Sequence, residues 1–139
     1  MIETVAVDEW LYQTLHGDVL LSSLAPGGVF ADLAPPDSTL PAVVYSDQGG
    51  SDTVGVDATR ILTSGLWLVR VIAETTSWQG NLRAAADRVD AILHATSGAV
   101  SGVTVGKCFR ESAHRLVDTA HGRQYRHLGG FYRIVHYHT

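Results

Sequence analysis

Leu66 to Glu74 reads LWLVRVIAE, a nine-residue run that is apolar at both alternating positions except for Arg70, up to the Glu74 that closes it. A strand exposed on one face alternates apolar and polar residues; a run with no polar face must be covered on both sides. This segment therefore predicts a central strand, and whatever precedes and follows it has to supply the cover. Directly behind it, Trp78, Leu82, Ala85, Ala86, Val89, Ile92 and Leu93 recur at helical spacing. Thr76 and Gln79 form a capping-box pair at the start, and Gly98 is placed to stop the helix near Thr96. Strand followed by amphipathic helix is the organising unit of the chain.

The rest is arranged around it. Ile2 to His16 predicts a helix with Val7, Trp10, Leu11, Thr14 and Leu15 on one face and Gly17 as its stop. Asp18 is placed to cap a short helical turn, VLLSSL, closed by Pro26-Gly27-Gly28. Val29 and Phe30 form a brief extended piece, Pro35, Pro36 and Pro41 an irregular connector, and Ala42 to Tyr45 a short strand. Asp47 to Thr59 (DQGGSDTVGVDAT) predicts a mobile hairpin tip or long loop. After the long helix, Val103–Ser112, Arg115–Asp118, Gln124–Leu128 and Phe131–Tyr137 predict strands, with a turn at His121-Gly122 and a bulge or bend at Gly129-Gly130. The order gives an α+β fold: one domain spanning residues 1–139, with a mostly antiparallel sheet and two main helices packed on one face. At 139 residues and 45% apolar, such a domain can bury a core without staples. Its single cysteine, Cys108, rules out an internal disulfide and reads as a small buried hydrophobe. No signal peptide and no membrane span are expected.

Charge is distributed unevenly. Residues 1–59 hold nine acidic side chains and no Lys or Arg, whereas residues 60–139 hold all ten basic side chains and five acidic ones, so the two parts carry −9 and +5. Either the parts neutralise each other within one chain, or the acidic part of one copy faces the basic part of the next. The second contact is heterologous, and heterologous contacts that close make rings. Glu3, Asp8 and Glu9 on one side and Arg110, Arg115 and Arg126 on the other are the candidate subunit-interface residues.

Motifs for chemistry are sparse. No phosphate-binding glycine loop, nucleophile elbow or His-Glu-x-x-His occurs. His136 and His138, two apart on a strand, point the same way and are the candidate metal ligands, with His114, His121 or His127 as a third. No Asp or Glu follows Asp118 to support them, and a polar strand edge is the simpler reading. Arg83, Asp87 and Arg88 read as the solvated face of the long helix. Arginines interleaved with Phe109, Tyr125, Phe131 and Tyr132 fit a nucleic-acid surface, but the acidic part and a pI near 5.9 argue against tight binding of a polyanion.

The Leu-Pro-Ala-Val-Val-Tyr segment, the strand-then-helix centre and the aromatic closing strand YRHLGGFYRIVHY after a turn resemble the tail terminator or tail-completion family of long-tailed bacteriophages. The resemblance implies a small α+β structural subunit without catalytic residues or cofactors. It implies a ring, typically of six, at the head-proximal end of the tail tube, stopping tube growth and meeting the head connector in a virion assembled in the host cytoplasm. DNA would pass through the lumen without specific binding, and Asp47, Asp52, Val54 and Asp57 would either line that lumen or contact the tube. Two alternatives remain at this level: a neck protein joining head and tail through the connector, and, in another class, a small metal-dependent enzyme using His136 and His138.

Overall fold

The computed structural model describes residues 4–100 and 102–138. They form three helices and six strands in the order α1 (Thr4–His16), α2 (Val19–Leu24), β1 (Val29–Ala31), β2 (Ala42–Val54), β3 (Arg60–Glu74), α3 (Asn81–Leu93), β4 (Thr96–Val100), β5 (Val103–Ala120) and β6 (Arg123–His138). The chain is mostly sheet, and the sheet is mixed and curled. Its order is β1-β2-β3-β6-β5-β4, with β1 parallel to β2 and the other neighbours antiparallel. No helix among the described residues is long and apolar enough to cross a membrane.

Leu66–Glu74 lies within β3, hydrogen-bonded to β2 on one side and β6 on the other. Its alternation sorts the sheet into two faces. Trp67, Val69, Val71 and Ala73 share one face with Val43, Tyr45, Tyr132 and Ile134 and belong to the main core. Val7, Trp10, Leu11 and Leu15 of α1 and Leu82, Ala85, Val89 and Leu93 of α3 complete that core. Each fully buried Val or Leu there is worth roughly 1.5–3 kcal/mol of transfer free energy. Two tyrosines on this face carry their hydroxyls to carboxylates on the helices: Tyr45 donates to Asp8 Oδ1 (2.9 Å) and Tyr132 to Asp90 Oδ1 (2.9 Å). Burial and the carboxylate acceptor both push these phenols well above the usual tyrosine range, so they stay neutral donors.

Several boundaries differ from the sequence reading. The Thr76–Gln79 capping box does not form. Ser77 N donates to Thr75 Oγ1 and Gln79 N to Ser77 Oγ, which spends the hydroxyls on two local turns. The helix then begins at Asn81 behind Gly80, whose φ of 77° only glycine adopts freely. Gly98 does not stop the helix either; it sits in β4, with the Trp10 indole packed where a side chain would project. The stretch 47–54 is no loop but the outer half of β2, and β3 starts at Arg60, so only residues 55–59 remain as a tip. The four predicted pieces after residue 103 merge into one long hairpin, β5–β6, turned at His121-Gly122. The expected bulge at Gly129-Gly130 is not there: the register runs unbroken through both glycines, and the irregularities fall on β5, between Val105 and Lys107 and between Arg110 and Ser112. What Gly129 permits is a close approach to β3, since a Cβ on it would stand 2.0 Å from Val69 O and 2.6 Å from Arg70 Cα.

Candidate functional site

The acidic residues of the predicted loop are brought together on the β2–β3 arm, each held differently. Asp47 accepts from Thr4 Oγ1 (2.7 Å) and from Gly49 N (2.8 Å). Asp52 accepts from Thr63 Oγ1 across the arm and lies 3.8 Å from Arg60 Nε, so part of its charge is offset. Asp57 holds the tip by accepting from Thr59 N (3.1 Å), which keeps its carboxyl below the usual carboxylate range. Around it the apolar side chains stand in solvent: Val56 is fully exposed and Val54 and Ile61 are about half exposed. The arm is thus paired along its length, with aspartates at its base and tip and exposed apolar side chains at the tip.

The candidate interface residues are more dispersed. Glu3 lies outside the described residues. Asp8 is tied inward by Tyr45, whereas Glu9 is exposed and accepts from Gln13 Nε2 (3.2 Å). Arg110 lies 3.8 Å from Asp90. The guanidinium carbons of Arg126 and Arg115 lie 4.7 Å and 5.3 Å from the centroid of the Trp78 ring, a cation–π cluster that pins the far end of the β5–β6 hairpin to the turn before α3. No sequence motif announces that cluster, since Trp78 is about forty residues from its partners.

Among the described residues, few ion pairs link the acidic part to the basic one. Among the described residues only Asp18 and Asp52 of the acidic part pair with basic residues of the other part, Arg88 and Arg60. Arg83, Arg110, Arg123 and Arg133 pair instead with Asp87, Asp90, Glu74 and Glu111, inside residues 60–139. Arg88 is thus not merely solvated: it grips Asp18 at 2.6 Å and 3.1 Å and ties α3 to the start of α2.

Among the described side chains the histidines do not converge. His136 is buried at the floor of an open cavity of about 280 Å³ between α1 and the arm, lined also by Thr4, Val7, Asp47, Asp52 and Trp67. The side chain of His138 lies outside those described. His114 and His127 are placed around Gly129, seven residues along β6 from His136, or about 24 Å of extended strand. Among the described residues no three His, Cys, Asp or Glu side chains converge as a metal site. Cys108 is buried, and burial pushes its thiol up to about 12, which keeps it protonated and unreactive.

Comparison with known proteins decides the lineage. Residues 9–135 match the family model of the tail completion protein gp17. The chain belongs to that family. It is therefore a structural protein of a phage tail. Among solved structures, a chain from the virion of a native gene transfer agent particle superposes with a TM-score of 0.68 at 19% identity, over 97% of this chain and 98% of that one. A second solved chain superposes with a TM-score of 0.56 at 10% identity over 96% of each. At these identities the likeness is one of fold. No curated protein matches by sequence.

Proposed function

We propose that this tail completion protein closes into a ring, a hexamer, at the head-proximal end of the tail tube, where it ends tube polymerisation and joins tail to head. Each subunit is one domain, residues 1–139, in which α1 and α3 cover one face of a mostly antiparallel sheet. Its partners are further copies of itself, the tail tube protein and the head–tail connector, with DNA passing through the lumen and no chemistry performed.

The observation that carries this reading is the charge split left standing after folding. A subunit that, among the described residues, keeps most acidic side chains of its first part without ion pairs and holds Arg70, Lys107, Arg115 and Arg126 without carboxylate partners carries charge of both signs for a neighbouring copy to meet. Charge so divided suits head-to-tail closure rather than a two-fold contact. Family membership supplies the setting in the tail. The partial neutralisation of Asp52 by Arg60 favours the arm as a contact element over the arm as a purely repulsive lumen lining.

The direct test adds the purified protein to polymerising tail tube subunits and measures tube length by electron microscopy. Arrested tubes with a ring at one end are expected. Binding to the isolated connector with no effect on the tubes would instead make it a neck joining protein.

A further inference from the structure

Arg70 is the one charged residue inside the run that predicts the central strand, which Glu74 closes, and the structure gives it no carboxylate among the described residues. It lies on the sheet face opposite Tyr45 and Tyr132. In its row across the sheet stand Val44, Arg70, Gly129 and His114; in the next stand Ala42, Ile72, His127 and Leu116. Gly129, between them in the row, places no side chain there, and the charge of Arg70 reaches His114. His127 is 8% exposed, and Arg70 Nε, His114 Nε2 and His127 Nδ1 are all buried without hydrogen-bond partners. Burial, and after it the charge of Arg70, holds both histidines below their ordinary range. Asp118 on β5 is the acidic group that acts on His127 from nearby. A partly buried cation surrounded by orphaned polar atoms is costly to a lone subunit.

Leu68, Ile72, Leu116 and Phe131 rim this cluster, with Leu116 46% exposed and Phe131 packed edge-on against His114. The site therefore asks for a carboxylate carried among small apolar side chains. The tip of the β2–β3 arm has that composition. Asp57 is its carboxylate without a basic partner among the described residues, and Val54 and Val56 flank it in solvent. We propose that Arg70, His114 and His127 form a carboxylate-accepting socket, filled in the assembled ring by the Asp57 arm tip of the neighbouring copy. This rests on the ring reading above and supplies its contact.

The socket makes an unusual demand on Arg70: its removal should relieve the free subunit and harm the assembly. The experiment measures mass by light scattering and thermal unfolding for wild type, Arg70→Met, Asp57→Asn and the charge exchange Arg70→Asp with Asp57→Arg. Expected is at least tenfold weaker assembly for Arg70→Met and for Asp57→Asn, recovery in the exchange, and an unfolding midpoint of monomeric Arg70→Met no lower than that of wild type. Asp57→Asn keeps the tip hydrogen bond, so its result stands even where Arg70→Met folds poorly. A wild-type ring that both single variants form equally well would overturn the socket and leave the ring intact. A wild type that never assembles, with or without tubes, would overturn the ring reading itself. Unaltered assembly with loss of binding to short duplex DNA in Arg70→Met would reassign the socket to phosphate.

Discussion

At Asp18 one carboxylate serves two elements. Oδ1 accepts from Leu21 N (2.8 Å) as the cap of α2, and both oxygens accept from Arg88 of α3. Replacing it by Ala removes a cap worth about 1 kcal/mol together with the ion pair, a loss that denaturant unfolding will register. Asp18→Asn keeps the cap and removes only the pair. The Arg88 hydrogen bond holds the Asp18 carboxyl below its ordinary 3.8. Its contribution is therefore present above about pH 4 and is lost as pH falls through the lower folded value. Stability of Asp18→Asn should fall less steeply than that of wild type as pH drops from about 5 to 3. Cys108 gives a second residue-scale expectation: in the folded protein a thiol-directed colorimetric reagent should find no reactive group, and one equivalent should appear only on unfolding. The Asp18 cap and the buried cysteine were legible in the sequence because each depends on its immediate neighbours. The Arg88 pair and the Trp78 cluster were not, because their partners stand 70 and about 40 residues away and no local pattern encodes the meeting.

Among the elements, the close approach of Gly129 to β3 and the β2–β3 arm separate stability from assembly. A Cβ at Gly129 would strike the backbone of β3, which cannot move aside as a side chain can. Gly129→Ala should cost about 1–3 kcal/mol or more in denaturant unfolding, because the hairpin must open where it curls onto the central strand. Val56→Ser at the arm tip should change stability by no more than about 0.5 kcal/mol, since Val56 is fully exposed, while weakening self-association. The central strand and the two long helices could be read in advance, being carried by periodicity, whereas the paired glycines marked a close approach to β3 and not the bulge expected of them, which falls on β5. Misplaced boundaries share a cause. Thr75 and Ser77 made turns where a capping box was expected, and the Gly/Asp-rich 47–54 segment became strand because β3 offered it a ladder. Local propensity lost there to tertiary pairing.

For the whole molecule, the acidic and basic parts fold together without cancelling. Pairing of Arg83, Arg110, Arg123 and Arg133 within their own part leaves the surplus of the acidic part facing outward. The sequence showed the split; only the fold shows how little of it is consumed inside one subunit. Interactions between such surfaces weaken with salt, because the Debye length shrinks from about 10 Å at 0.1 M to about 3 Å at 1 M. The mass of the purified protein in solution, measured by light scattering across concentration at low and high salt, tests the central claim most directly. Head-to-tail closure predicts a single ring-sized species that forms as concentration rises and dissociates as salt rises. A monomer under every condition, even with tail tubes present as template, would contradict it.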